Sequence, residues 1–122
     1  MTRLNLLVIR AADPRNLVRF YSTLGLEFVE EKHGSGPTHF ACELGGSVFE
    51  IYPLGKKNQP TTSACLGFGV RSLDDTLAKM NALGETEILQ PPQRTASGLT
   101  ALVVDPEGHR VDLRESASVE VG

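Results

Sequence analysis

The sequence predicts an α+β protein, with two tandem βαβββ modules forming a curved, barrel-like mixed sheet that carries its helices on the outer face. Three observations point there. A capped helix pattern occurs twice, from Asp13 to Gly25 and from Ser72 to Gly84, with 12 residues from cap to glycine in each. An apolar strand pattern precedes each helix. Each helix is followed by strand patterns ending in an acid, Glu50 in Val48-Phe49-Glu50-Ile51-Tyr52 and Asp112 in Arg110-Val111-Asp112-Leu113-Arg114. Such a repeat implies one supersecondary unit used twice.

The aliphatic run Leu4 to Arg10 is a first strand, ended by a turn signal. Asp13 caps the first helix, and Pro14 sits at its first position, where a missing N–H costs nothing. Leu17, Phe20, Tyr21 and Leu24 form an apolar stripe at helical spacing, and Gly25 supplies the left-handed residue that closes the helix. Strands follow over residues 26–32, 38–44 and 47–53, with a Gly-rich loop from His33 to Pro37 and a Gly45-Gly46 hairpin turn. Residues 54–63 read as a polar linker between half-modules 4–53 and 64–115 of one 1–122 domain. In the second half, residues 64–71 are a strand. Ser72 caps the second helix, with Asp75 three residues on, and Leu73, Leu77, Met80 and Leu83 face its core. A short strand covers 85–89 and a Pro91-Pro92 loop covers 90–98. A strand over 99–104, the Asp105-Pro106-Glu107-Gly108 turn and a strand over 110–115 complete the fold, with a frayed tail from Ser116.

At 122 residues the chain can build one substantial core. A net charge of −3 and a pI near 5.6 argue against nucleic-acid partners and anionic membrane surfaces, which want a basic face. No apolar run reaches the length of a membrane span, and no leader pattern opens the chain, so a cytoplasmic location is expected. Cys42 and Cys65 lie in apolar strand patterns and read as buried free thiols, with no zinc-type spacing.

Strand parity sorts the side chains. Phe49 and Ile51 pack under the first helix, while Val48, Glu50 and Tyr52 point into a groove on the opposite face. Val111 and Leu113 pack under the second helix, leaving Arg110, Asp112 and Arg114 on the groove side. Phe40, Cys42 and Leu44 are helix-facing, which sends His39, Ala41 and Glu43 the other way.

The tandem modules, Phe20-Tyr21-x-x-Leu24-Gly25-Leu26, Glu50, and the closing Asp105-Pro106-Glu107-Gly108-His109-Arg110-Val111-Asp112 resemble the glyoxalase/bleomycin-resistance/dioxygenase proteins, the vicinal oxygen chelate superfamily. The resemblance runs from about Leu4 to Glu115. It implies a small-molecule ligand in the sheet groove, a homodimer and no nucleotide cofactor. It also implies a divalent metal held by side chains from the first and last strand of each half. Those positions fall on Leu6, Glu50, Cys65 and Asp112, with Asn5 replacing Leu6 if the register shifts by one. Two carboxylates are kept and both usual histidines are lost. Two carboxylates hold a hard cation weakly, and catalytic zinc wants three protein ligands. His39 or Cys65 would be the third.

Two functional classes follow. One is a metal-dependent lyase, isomerase or dioxygenase with Glu50 and Asp112 as metal ligands and Glu50 as catalytic base. The other is a non-catalytic, metal-free binder of the drug-sequestering kind; a third reading is a decayed site with a structural role. Arg10, His39, Tyr52, Arg71 and Arg114 are the substrate-binding candidates, since arginine suits a ligand carboxylate and Tyr52 offers a ring with a hydroxyl. Plainer explanations weigh against each. Glu50 and Asp112 could pair with nearby arginines, His39 could be a satisfied histidine at a strand edge, His33 could be solvent-exposed or part of a lid, and His109 could be structural or exposed in its turn.

Overall fold

The structure is a computed structural model, which describes residues 1–56, 64–84 and 86–115. It divides into two compact units, Met1–Thr61 and Thr62–Gly122. The first contains β1 (Leu6–Ala11), α1 (Pro14–Ser22), β2 (Val29–Glu31), β3 (His39–Leu44) and β4 (Ser47–Pro53). The second contains β5 (Cys65–Val70), α2 (Leu73–Ala82), β6 (Glu87–Thr95), β7 (Gly98–Val104) and β8 (Arg110–Glu115). Each unit is therefore a βαβββ module, and the class is α+β as the sequence predicts. Among the described residues the strands pair as two four-stranded mixed sheets, ordered β1-β4-β3-β2 and β5-β8-β7-β6. In each module the first strand runs parallel to the last, and the other neighbours are antiparallel. Residues 57–63 of the expected 54–63 linker and the tail from Ser116 lie outside the described residues.

The caps explain why the helices begin and end where they do. Asp13 accepts a hydrogen bond from the Asn16 amide, and Ser72 accepts one from the Asp75 amide, both at 3.2 Å. The first amide of α2 also donates to Glu115 Oε1 at 2.9 Å, tying the helix start to the end of β8. Gly25 and Gly84 take φ of +89° and +82° just past the helices, a region that costs most side chains about 1–2 kcal/mol. At the β3–β4 hairpin, Gly45 and Gly46 have φ of +54° and +95°, as a two-residue turn that follows the strand twist requires.

Period-2 alternation decides which face each strand buries. In the first module Ile9, Ala11, Phe49 and Ile51 join Leu17, Phe20 and Tyr21 of α1 in the core. Tyr21 packs edge-on against both Phe20 and Phe49, with centroids 5.0 and 5.2 Å away. In the second, Val111, Leu113, Ala101 and Val103 meet Leu73, Leu77 and Met80. Each of the larger side chains contributes about 1.5–3 kcal/mol by leaving water.

Three local expectations are corrected. Residues 90–95 are strand, not loop, because β6 runs on through Pro91-Pro92 to Thr95. β6 is the edge strand of its sheet, where a missing N–H need not break a ladder. Register shifts between Ile88 and Gln90 and between Gln90 and Gln93 accommodate the prolines. Cys65 is exposed, because it shares the open face of β5 with Gly67 and Gly69; Cys42 is buried as expected. Finally, β3 lies between β2 and β4, so His39 is an interior-strand residue rather than an edge one.

Candidate functional site

Pairing register fixes what each sheet shows on the face away from its helix. In the first module Leu6 pairs with Val48, Val8 with Glu50, and Arg10 with Tyr52. Ile9 and Ala11 are buried on the other side. The register of β1 therefore puts Leu6, not Asn5, on the open face. Across β3 and β2, Ala41 faces Glu50 and Val29, while Glu31 faces His39. The open face is thus a set of transverse rows. One row, Val8–Glu50–Ala41–Val29, is apolar apart from its carboxylate. The next is wholly polar or aromatic and runs Arg10–Tyr52–His39–Glu31.

Contacts within that second row are tight. The Tyr52 and His39 rings stack at 4.2 Å with 6° between their planes. The Arg10 guanidinium lies 5.3 Å from the Tyr52 centroid, a cation–π distance, and its Nη1 donates to the Pro53 carbonyl at 3.5 Å. Tyr52 is thereby held between two groups while staying partly exposed. Beside these rows a pocket of about 700 Å³ is lined by Val29, Glu31, Ala41, Glu43, Val48 and Glu50, with residues of the chain after α1. That volume falls within the range of small-molecule sites, and its lining, an apolar floor with a few carboxylates, is of the usual kind.

His39 is 2 % exposed, yet its Nε2 has no hydrogen-bond partner among the described residues. Glu31 Oε1 is 3.2 Å from that nitrogen and Glu50 Oε2 is 3.9 Å away. Nδ1 is 3.3 Å from the Pro37 carbonyl, which can only accept, so the proton of that bond belongs to Nδ1.

The second module presents a plainer face. Gly67 pairs with Asp112 and Gly69 with Arg114. These four and Phe68 line a shallow pocket of about 300 Å³. Arg114 Nη2 is 3.6 Å from Asp112 Oδ2, both well exposed, an ion pair of little energetic weight. Arg71 lies one residue beyond β5 and is exposed. Of the predicted residues, then, Arg10, His39, Glu50 and Tyr52 come together on the first module's sheet. Asp112 and Arg114 meet on the second module's sheet, where Cys65 stands on the same face and Arg71 lies just past the end of β5.

The four positions at which the family resemblance implies metal ligands offer at most three donor side chains. Leu6 has no donor atom and Cys65 is an exposed thiol. Sequence reasoning missed Glu31 and placed His33 only in a loop. The signal was present, since Val29, Glu31 and His33 follow period 2 along the continuation of β2.

A family model described as Glyoxalase/Bleomycin resistance protein/Dioxygenase superfamily matches residues 3–113. Among solved structures, a protein from the mobile metagenome of V. Pseudocholerae, VPC_CASS1, is 26% identical, with a TM-score of 0.67 over 94% of this chain and 95% of that one. TnmS3 from Streptomyces sp. CB03234, an antibiotic binding protein, is 19% identical, with a TM-score of 0.71 over 94% and 96%. A glyoxalase/bleomycin resistance protein/dioxygenase family enzyme from Burkholderia phytofirmans PsJN is 18% identical, with a TM-score of 0.72 over 93% and 98%. A comparison with curated proteins finds no match. No helix among the described residues is long and apolar enough to cross a membrane.

Proposed function

We propose that this chain, which belongs to the glyoxalase/bleomycin resistance protein/dioxygenase superfamily, binds a small molecule on the open face of its first sheet and works as a sequestering binder. The observation that carries this reading is the pair of rows on β1, β4, β3 and β2. Apolar Val8, Ala41 and Val29 flank Glu50, beside a Tyr52 ring held between Arg10 and His39. An apolar floor gives affinity through buried area. The polar groups then fix orientation. Tyr52 offers an aromatic edge and a hydroxyl, Arg10 a cation suited to a carboxylate, and Glu50 an acceptor for a ligand N–H or ammonium group. The ligand class that fits is an aromatic molecule carrying both a hydrogen-bond donor and an acidic group.

Leu6 at a position where the family resemblance implies a metal ligand favours this reading over a lyase, isomerase or dioxygenase working through those four positions. The fold likeness to TnmS3, an antibiotic binding protein, supports the same class. A homodimer, with a second copy completing each ligand site, belongs to the proposal.

A thermal-shift screen tests it, using a panel of aromatic carboxylic acids that carry N–H or ammonium donors, with chelator present. A ligand at about 100 times its Kd should stabilise the protein by about 2.7 kcal/mol. The expected result is a hit whose shift is lost in Glu50→Gln and Tyr52→Ala but kept in Asp112→Asn. A hit that both first-module variants bind normally would overturn the assignment of the face.

A further inference from the structure

We propose that Glu31, His33 and His39 form a binding site for a divalent d-block cation such as Zn²⁺, built on β2 and β3 and separate from the four positions the family resemblance implies. Among the described residues these three alone bring His, Cys, Asp or Glu ligand atoms together as a group, all within 4.8 Å of one another. Two of the three ligand-to-ligand separations, those made by Glu31, have the length of an edge of a coordination shell. Glu31 Oε1 is 3.2 Å from His39 Nε2 and 3.5 Å from His33 Nε2. A tetrahedral site with bonds of about 2.0–2.1 Å has ligand-to-ligand edges of about 3.3 Å.

The buried, unpartnered Nε2 of His39 is the second, independent observation. Because Nδ1 gives its proton to the Pro37 carbonyl, Nε2 carries the lone pair in the neutral ring. That lone pair faces the carboxylates of Glu31 and Glu50, an arrangement that only a proton or a cation on Nε2 makes favourable. Glu31 Oε1 is within 3.2 Å of Nε2 but makes no hydrogen bond to it. The backbone carbonyl on Nδ1 is also the usual outer partner of a metal-bound histidine, fixing ring and tautomer.

Chain geometry supplies the third ligand. β2 ends at Glu31, and His33 follows two residues later, so the period of the strand brings both to the same side. The His33 ring comes to 5.3 Å of the His39 ring, centroid to centroid. Two imidazoles and a carboxylate suit zinc and its d-block neighbours better than magnesium or calcium. Three protein ligands leave one position for water or a ligand oxygen, with Glu50 Oε2 3.9 Å from His39 Nε2. The site shares Glu31 and His39 with the second row of the proposed small-molecule face, but its test does not depend on ligand binding there.

The test uses the full chain without an affinity tag, stripped with chelator and titrated with Co²⁺ or Zn²⁺ alone. The expected result is one equivalent per chain, with Co²⁺ giving the intense visible bands of a tetrahedral nitrogen–oxygen site. His33 is exposed, so His33→Ala should leave the fold intact by circular dichroism and weaken binding at least about tenfold, the lower end of what even outer-shell losses cost. Glu31→Gln should do the same. Asp112→Asn and Cys65→Ser should bind as the parent does. Absence of a stoichiometric site, binding that survives both His33→Ala and Glu31→Gln, or a thiolate charge-transfer band lost in Cys65→Ser would each overturn the proposal. None of these outcomes bears on small-molecule binding measured with chelator present.

Discussion

Replacing Asp105 by alanine removes a carboxylate that organises the β7–β8 turn from inside. Oδ1 accepts from the amides of Glu107 and His109 at 2.9 and 3.0 Å, and Oδ2 accepts from His109 Nδ1 at 2.7 Å. Asp105 is 3 % exposed and His109 is fully buried, so the donors on His109 have no easy access to water once the acceptor is gone. Bonds to a charged acceptor contribute about 1.5–3 kcal/mol each, and a buried donor left unpaired costs about 1–3 kcal/mol. The Glu107 amide is only partly buried and counts for less. Asp105→Ala should therefore cost about 4 kcal/mol. Asparagine keeps an oxygen for the two amides and turns an NH₂ toward the imidazole, which can take the other tautomer; its cost should be nearer 1–2 kcal/mol. For a chain of this length each kcal/mol moves Tm by roughly 4 °C. Thermal unfolding followed by circular dichroism should thus show drops of about 16 °C and about 4–8 °C. An alanine variant within 1 kcal/mol of the parent in urea unfolding would refute the reasoning, because the turn would then not depend on this carboxylate.

Other consequences are as direct. Met80 of α2 is fully buried, so Met80→Ala should cost about 2–5 kcal/mol by urea denaturation through the cavity it leaves. Ser72→Ala removes the α2 cap and should cost about 1 kcal/mol, while Ser72→Asp should recover most of it. Burial pushes the Cys42 thiol up from its ordinary pKa, opposing the reactive thiolate, whereas Cys65 is exposed. A disulfide reagent at neutral pH should modify Cys65 quickly and Cys42 only at the rate of local opening, a difference that Cys65→Ser would confirm by abolishing the fast phase. Arg114→Ala breaks an exposed ion pair and should leave Tm nearly unchanged.

Much of this architecture was legible because local chemistry and global fold agree. Asp13 and Ser72 cap helices, Gly25 and Gly84 end them, and the β4 alternation separates Phe49 and Ile51 from Glu50 and Tyr52 as parity predicts. The misreadings have a common cause, since strand position within a sheet is a tertiary property. Pro91-Pro92 signals a loop unless β6 is known to be an edge. His39 looks like an edge residue until β2 is seen to flank it. The Glu31–His33–His39 grouping was hidden because it joins β2, a loop and β3. Separation along the chain does not reveal that adjacency, although the period-2 spacing of Glu31 and His33 hinted at half of it.

On the proposed reading, the open face of the first sheet is where this protein meets its ligand. Two-dimensional amide NMR of the labelled chain, titrated with the strongest thermal-shift hit, tests it most directly. The predicted result is a set of saturable shifts concentrated on Val8, Arg10, Ala41, Glu50 and Tyr52, absent in Tyr52→Ala. Shifts centred instead on Gly67, Gly69 and Asp112, with the first sheet undisturbed, would contradict it.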